Sequence, residues 1–284
     1  MDLDRAYRLC AQITRREARN FYYAFLSLPK AQRLAVYALY AFCRASDDVV
    51  DNAGSVVSKR AGLRRLRERL AAAADGQPEP GIDLALADAI DRFGVDPDDL
   101  ADVLTGMEMD LDLRRVDTAD ALRDYCYHAA SAVGLATLPI LNGGVPPTNG
   151  MREAAVDLGL GMQYVNIVRD VAEDLDRDRI YLPKEEMAAF GVTAESLCGR
   201  SMTGELRALL AHQADRADDF LRRGLRLVSH LPRSGSRCPW LLAELYGRIL
   251  GRVREAGYDV FRERIGLSKW EKVWILLASR WKRP

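Results

Sequence analysis

The sequence predicts an all-α fold, and three observations support this prediction. Nearly every long segment of the 284-residue chain repeats its apolar residues at intervals of three and four, as one face of an α-helix does. No segment shows the apolar and polar alternation that is typical of a half-buried strand. Residues 34–43 and 125–141 are apolar on most faces, which places them at the centre of a helical bundle.

Ten helices are predicted, and turn-forming segments separate them. Asn52, Ala53 and Gly54 end the second helix, GQPEPG at 76–81 ends the third, and GGVPPTNG at 143–150 follows the sixth. RIYLPK at 179–184 follows the seventh helix, and LPRSGSRCP at 231–239 follows the eighth. The predicted helices span residues 3–27, 31–51, 56–74, 82–92, 97–113, 118–141, 150–176, 202–230, 236–257 and 268–281.

None of these breaks is a long flexible linker, and the composition does not change across any of them. We therefore expect one all-α domain that spans residues 1–284. A thick helical bundle of this kind can enclose an apolar cavity between its central helices.

Composition argues against several classes of function. Basic and acidic residues are equal, at 41 each, so net charge gives no reason to expect a nucleic-acid partner. The five cysteines form no CxxC pair, which favours buried thiols in a reducing compartment. Three histidines without ExxH or HExxH spacing argue against a zinc or di-iron site.

The sequence also predicts where the protein resides. It contains no apolar run of the roughly 18–20 residues that span a bilayer, and its N-terminus lacks the pattern of a signal peptide. We therefore expect a cytoplasmic protein, either free or peripherally bound to a membrane.

The segment FCRASDDVVDN at 42–52 places three carboxylates at an unfavourable position. Asp47, Asp48 and Asp51 lie in the predicted last turn of an apolar helix. Carboxylates there face the negative end of the helix dipole, which costs roughly 0.3–1 kcal/mol each. A local violation of this kind often marks a functional site.

A second acidic segment, QYVNIVRDVAEDLDRDRIY at 163–181, repeats the pattern. Asp170 and Asp174 are four residues apart, as Asp47 and Asp51 are, so each pair lies on one helical face. One such pair is usually a solvated surface feature. Two pairs, each after an apolar helix and each beside an arginine, indicate a shared site instead.

Clusters of oxygen ligands without histidine suit Mg²⁺, which also takes water and phosphate oxygens as ligands, and Mn²⁺ accepts the same donors. Two acidic rims over an apolar cavity therefore suggest a ligand with a metal-bound phosphate head and a hydrocarbon tail, such as a prenyl diphosphate. Cationic side chains could bind the diphosphate, although each could instead form a surface ion pair. These candidates are Arg44, Arg169, Arg179, Lys184 and Arg264.

Three segments strongly resemble the squalene and phytoene synthase family. They are FYYAFLSLPKAQRLAVYALYAFCRASDDVVD at 21–51, YCYHAASAVG at 125–134 and LGLGMQYVNIVRDVAEDLDRDRIYLP at 158–183. The resemblance continues through LAELYGRIL and GYDVFRERIGLSKWEK. It implies an isoprenoid synthase helical bundle around an apolar cavity, and a Mg²⁺-dependent enzyme that joins two identical allylic prenyl diphosphates head to head.

The resemblance also implies roles for individual residues. The metal ligands would be Asp47, Asp51, Asn166, Asp170 and Asp174. The diphosphate contacts would be Arg44, Asn166, Arg169, Arg179, Lys184, Tyr246 and Arg264, and the residues lining the reacting centre Tyr40, Tyr125 and Gln163. Many members carry Ser-x-Ser-Phe where this chain has Ala18-Arg19-Asn20-Phe21, so Arg19 or Asn20 would have to replace a serine hydroxyl.

The substrate and the product are less constrained. Bulky Phe25 and Tyr37 favour farnesyl diphosphate, converted through presqualene diphosphate to a squalene-type precursor of hopanoids or carotenoids. The alternative is a phytoene synthase that uses geranylgeranyl diphosphate. Use of NADPH stays open, because Gly159-Leu160-Gly161 lies inside a predicted helix and indicates close helix packing rather than a dinucleotide site.

Two further questions concern partners and rival functions. The C-terminal segment combines tryptophans with basic residues, which suits either a membrane interface or a helix packed on the bundle. These residues are Lys269, Trp270, Lys272, Trp274, Arg280, Trp281, Lys282 and Arg283. Downstream isoprenoid enzymes are expected partners. The paired motifs argue against a chain-elongating prenyl synthase or a terpene cyclase, and a non-catalytic helical assembly factor is a remote alternative.

Overall fold

Sixteen α-helices and one π-helical turn form the regular structure of the computed structural model, which describes residues 2–279 except the side chain of Arg19. The first eight helices are α1 Leu3–Glu17, α2 Arg19–Phe25, α3 Lys30–Asp51, α4 Val56–Ala74, α5 Ile82–Phe93, α6 Pro97–Asp112, α7 Ala119–Cys126 and, after the π turn Tyr127–Ser131, α8 Ala132–Leu141. The others are α9 Asn149–Arg169, α10 Val171–Asp176, α11 Lys184–Ala189, α12 Ala194–Cys198, α13 Gly204–Gly224, α14 Leu227–His230, α15 Arg233–Glu255 and α16 Lys269–Ala278.

The predicted all-α class is confirmed, since the described residues contain only an isolated bridge between Arg115 and Ile180 and no strand. Several predicted helices are divided, however. The first is divided at Ala18, the seventh at Asp170 and the eighth after Gly224. The short helices α11 and α12 were not predicted, because neither is long enough to show a helical period.

The break at Asp170 positions the second acidic segment. Asp170 leaves the helical backbone at φ −100° and ψ 16°, so α9 ends and α10 begins around it. Its N–H still donates to the carbonyl of Asn166 at 2.8 Å, and its carbonyl accepts from Asp174 at 2.9 Å. Asp170 therefore lies at a bend between two helices rather than inside one.

Helix α9 runs through the centre of the bundle, and glycines let its neighbours approach closely. A Cβ on Gly159 would lie 2.6 Å from the Cα of Ser131, and one on Gly161 would lie 2.7 Å from the backbone N of Leu221. The predicted helix packing at Gly159-Leu160-Gly161 is thus confirmed. Buried apolar side chains of the described residues form one connected cluster around this helix.

The π turn Tyr127–Ser131 interrupts the predicted sixth helix. The Ser131 hydroxyl donates to the carbonyl of Val156 at 2.8 Å, which ties the turn to α9. Turns of this kind inside α-helices frequently occur at functional sites. Here the turn presents Ala129 and Ala130 to a cavity described below.

Most of the cysteines are buried in the bundle, as the sequence predicts. All five cysteines are free thiols, and four are buried; burial raises the pKa of Cys43 and of Cys238 to about 12. Over residues 2–279, no helix is both long enough and apolar enough to cross a bilayer.

Close packing at Gly224 provides a test of this arrangement. A Cβ there would lie 2.5 Å from the Cα of Leu158, a backbone atom that cannot easily move. Gly224→Ala should therefore lower the free energy of unfolding by about 1–3 kcal/mol, measured by urea denaturation. The control Gly251→Ala adds a methyl where no atom lies within 4 Å and should stabilise α15 by about 0.5–1 kcal/mol. Equal effects of the two substitutions would contradict the packing.

Candidate active site

Carboxylates from three parts of the bundle face one cavity of about 250 Å³, here called the acidic recess. Asp47 and Asp51 come from the last turns of α3, and Asp170 and Asp174 from the junction of α9 and α10. The structure thus brings the two predicted aspartate pairs to one cavity. Asp110, at the end of α6, is a fifth carboxylate that the sequence analysis missed.

The recess makes ionisation of these groups unfavourable. Burial, followed by the neighbouring carboxylates, raises the pKa of Asp47 to about 7, although Arg44 acts in the opposite direction. Burial and the charge of Asp170 likewise raise the pKa of Asp174 to about 7. The pKa of Asp110 is raised by burial as well. A bound cation would relieve this cost by offsetting the negative charges.

Arginines already neutralise part of the charge. Arg169 binds both carboxylate oxygens of Asp170, with 2.7 Å between its Nε and Oδ1, and Arg264 approaches the same Oδ1 to 3.3 Å. At the other wall, Arg44 pairs with Asp48 at 2.5 Å and lies 3.9 Å from Asp47. Three of the predicted arginines, Arg44, Arg169 and Arg264, therefore pair with aspartates of the two acidic segments.

Arg179 carries the clearest sign of an anionic ligand. Its side chain lines the acidic recess, and its Nη2 donates to the backbone carbonyl of Asp110 at 3.1 Å. Its Nε is buried and has no hydrogen-bond partner among the described residues. Because a buried donor without a partner costs about 1–3 kcal/mol, an anion in the recess would be stabilised by it.

Asp110 belongs to a hydrogen-bonded group with two tyrosines. The hydroxyl of Tyr181 donates to Asp110 Oδ1 at 3.0 Å, and the hydroxyl of Tyr125 donates to that of Tyr181 at 3.3 Å. The two rings are stacked with centroids 4.9 Å apart. Asp110 lies in the last turn of α6, so the same dipole violation that identified Asp47 would have identified it.

A second polar cavity of about 340 Å³ adjoins the acidic recess and shares Asn166 and Arg169 with it. Tyr40, Tyr246 and Arg264 also line this cavity, as predicted for the head-group region. So do Ala18 and Asn20, which places Asn20 where the resemblance expects a substitute for a serine.

A third cavity of about 230 Å³ is apolar and meets the other two at Asn166. The amide of Asn166 donates to Gln163 Oε1 at 3.2 Å, and Gln163 also lines both this cavity and the acidic recess. Small residues line much of its wall, and Phe21 and Phe25 lie against it. The small residues are Ala129, Ala130, Gly134, Ala155 and Gly159.

Three predicted site residues lie outside these cavities. Lys184 is exposed at the start of α11 and lines a separate cavity with Leu182 and Met187, because the chain turns away from the recess after Tyr181. Tyr37 is buried behind Phe25, with their ring centroids 6.2 Å apart. Arg44 pairs with Asp48 but does not itself line the acidic recess. We therefore do not retain Lys184 among the proposed diphosphate contacts.

The donor set fits a hard divalent cation. Within residues 2–279, no three His, Cys, Asp or Glu side chains converge into a ready-made metal site. Mg²⁺ does not require one, because it usually takes one or two carboxylates and fills its remaining positions with water and phosphate oxygens. Facing carboxylates of raised pKa, beside an unpaired arginine donor, match that arrangement.

Comparison with known proteins gives consistent results. The family model for squalene/phytoene synthase matches residues 14–271. A 15-cis-phytoene synthase of Synechococcus elongatus is 36% identical over 286 residues, covering 95% of this chain and 91% of the relative. A chloroplastic phytoene synthase of Daucus carota is 37% identical over 279 residues, covering 95% of this chain and 69% of the relative.

Solved structures show the same similarity. A dehydrosqualene synthase in complex with a ligand superimposes with a TM-score of 0.88 at 32% identity, over 98% of this chain and 96% of that one. A squalene synthase from Alicyclobacillus acidocaldarius gives a TM-score of 0.84 at 28% identity, over 90% of this chain and 95% of that one.

The raised pKa of Asp47 predicts a pH-dependent stability. The folded pKa of about 7 exceeds the ordinary value of 3.8, so the metal-free protein loses stability as pH rises between these values. Asp47→Asn removes that loss and should raise the melting temperature at pH 8 but not at pH 4. The side chain is 42% exposed, and screening should therefore limit the gain to about 1–2 kcal/mol.

Asp48→Asn is the matched control, because Asp48 is similarly exposed and pairs with Arg44. It should leave the melting temperature unchanged or slightly lower at pH 8. The assigned electrostatics of the recess would be contradicted if Asp48→Asn raised the melting temperature at pH 8 as much as Asp47→Asn does. They would also be contradicted if Asp47→Asn did not raise it at all.

Proposed function

The chain belongs to the squalene/phytoene synthase family and is a prenyltransferase, and on this basis we propose that it condenses two molecules of geranylgeranyl diphosphate head to head to form phytoene. The observation that carries the proposal is the meeting of three cavities at Asn166. Two of them are polar and suit diphosphate groups, and the third is apolar and suits hydrocarbon.

The two polar cavities provide one position for each diphosphate. Arg179 serves the acidic recess, Arg264 serves the second cavity, and Arg169 borders both. Guanidinium groups bind phosphate oxygens through parallel hydrogen bonds, and they stabilise the charge that grows on a leaving diphosphate. On binding, Arg169 and Arg264 would exchange the carboxylate of Asp170 for phosphate oxygens.

Carboxylates of the recess would hold Mg²⁺ once the arginines have turned to phosphate oxygens. Asp47 and Asp51 would hold it at one wall of the recess, and Asn166, Asp170 and Asp174 at the other. Bound Mg²⁺ would neutralise the diphosphate and so favour its departure. The aspartates that the arginines release would thereby gain a new cationic partner.

Departure of one diphosphate breaks its C–O bond and leaves an allylic cation. The C2=C3 double bond of the second substrate attacks this cation, and loss of a proton closes a cyclopropane ring. Departure of the second diphosphate breaks the remaining C–O bond, the cyclopropane rearranges to an open chain, and loss of a second proton gives phytoene without a reductant. NADPH is therefore not part of the proposed reaction.

Residues at the junction of the cavities suit this chemistry. The aromatic rings of Phe21, Tyr40 and Tyr246 lie together, with centroids 6.5 Å and 6.2 Å from Phe21, and aromatic faces stabilise a nearby cation. The Tyr125, Tyr181 and Asp110 group lines the recess where the leaving diphosphate would remain. Apolar walls on the third cavity exclude water, which would otherwise trap the cation.

The relatives named phytoene synthase support the twenty-carbon substrate over the farnesyl diphosphate expected from the sequence. The preference for farnesyl diphosphate was based on the bulk of Phe25 and Tyr37, and Tyr37 borders none of the three cavities. Phe25 does line the apolar cavity and narrows it, so farnesyl diphosphate is the second candidate substrate, with a squalene-type product.

Product analysis distinguishes the two substrates. Purified protein with Mg²⁺ should turn over geranylgeranyl diphosphate faster than farnesyl diphosphate, and mass spectrometry should show phytoene whether or not NADPH is added. Phe25→Ala should change this preference by less than about tenfold, because the longer chain already fits. Faster turnover of farnesyl diphosphate, with a large gain in twenty-carbon use in Phe25→Ala, would favour the second candidate instead.

Removing one carboxylate tests the proposed ligands. Asp170→Asn should lower kcat by about 10²–10³-fold, because it weakens both the cation site and the placement of Arg169. Asp176→Asn is the control, since Asp176 is exposed and pairs with Arg200 outside the recess. Circular dichroism should show the same helix content in both variants. Turnover at the wild-type rate in Asp170→Asn would refute the assignment.

A further inference from the structure

The chain turns sharply as it leaves α10, and the turn depends on an unusual residue. The amide of Arg179 donates to the carbonyl of Asp174 at 2.8 Å, and the amide of Asp178 donates to that of Leu175 at 3.1 Å. These two bonds form a Schellman motif, which places a left-handed residue, usually glycine, at the position of Asp178. Asp178 adopts this conformation with a φ of 55°, although its Cβ makes it unfavourable. Contacts outside the turn must therefore offset the strain.

Arg115, between α6 and α7, supplies such contacts. Its Nη1 donates to the backbone carbonyl of Asp178 at 2.7 Å, and its Nη2 donates to Oδ1 of the same residue at 2.8 Å. The planar guanidinium thus fixes the backbone and the side chain of Asp178 together. The carbonyl of Arg114 accepts from the same Nη1 at 2.8 Å and from the amide of Ile180 at 3.0 Å. The two chain segments are therefore joined on both sides of the turn.

The residues that follow Asp178 alternate between two cavities. Arg179 and Tyr181 line the acidic recess. Ile180 and Leu182 line the separate cavity of about 530 Å³ at the start of α11. Successive side chains of an extended segment point to opposite sides, so the path that the backbone takes at Asp178 decides which of them face the recess. Arg179, with its buried and unpartnered Nε, depends on that path.

We propose that Arg115 is a positioning residue, which holds Asp178 in the left-handed conformation and thereby directs Arg179 into the acidic recess. Arg115 does not line the recess and is 45% exposed, so it acts through Arg179 rather than on the substrate. This inference rests on the proposed function, in which Arg179 binds a diphosphate. An exposed ion pair adds little to global stability, so the contribution of Arg115 should appear in turnover instead.

Replacement of the guanidinium tests the proposal. Arg115→Met should lower kcat about 10–100-fold, because small misplacements of a binding group are costly in a preorganised site. Its melting temperature should stay within about 3 °C of the wild type. Arg200→Met is the matched control, since Arg200 is also 45% exposed and pairs with Asp176 outside the recess. It should turn over substrate at the wild-type rate.

Glycine at position 178 separates positioning from a general structural role. Asp178→Gly removes the carboxylate but adopts the left-handed conformation freely, so kcat should stay within about threefold of the wild type. The double variant Arg115→Met/Asp178→Gly should recover the same rate, because the turn no longer needs the guanidinium. Asp178→Ala lacks both the carboxylate and the freedom of glycine, and it should lower kcat further than Asp178→Gly does.

Amide exchange of the free protein tests the contact without any substrate. Arg115→Met should speed exchange at the Ile180 amide by at least about tenfold, and the added Asp178→Gly should slow it again. Wild-type exchange or wild-type turnover in Arg115→Met would overturn the inference, as would a loss of turnover that glycine does not rescue. If the wild type itself turned over neither prenyl diphosphate, the proposed function would fail, and the exchange rates would still decide whether Arg115 holds the turn.

Discussion

Repulsion among carboxylates in one small recess is the constraint on which the rest of the site depends. Five aspartates face a cavity of about 250 Å³, and two of them have a pKa raised to about 7. Such a recess is stable only with cations beside it. Arg169 and Arg264 neutralise the charge of Asp170. Bound Mg²⁺, together with diphosphate, would neutralise the other carboxylates.

The fold creates this constraint through a few local features. α3 and α6 both end at the recess, so their last turns bring carboxylates to it, and the bend at Asp170 adds a third wall. Glycines 159 and 161 let α9 lie close to its neighbours, which brings Asn166 to the point where the polar and apolar cavities meet. Together these features hold the carboxylates and Asn166 around one cavity.

Much of this site could be predicted from the sequence, because Asp47 and Asp51 violate a local rule at the end of α3, and Asp170 and Asp174 repeat their spacing. The all-α class followed from the apolar period for the same reason. Asp110 showed the same violation but without a partner four residues away, and it was missed. The bend at Asp170 and the turn that directs Lys184 away from the acidic recess depend on tertiary contacts. The spacing of apolar residues in the sequence does not show such contacts.

Calorimetric titration with inorganic diphosphate tests the central claim most directly, since it measures the head-group site without chemistry or hydrocarbon. We expect diphosphate to bind tightly when Mg²⁺ is present and at least about tenfold more weakly when it is absent. Replacement of Asp170 by Asn should abolish the gain from Mg²⁺. Equal affinity with and without Mg²⁺, or a wild-type gain in that variant, would contradict a recess built to hold a metal-bound diphosphate.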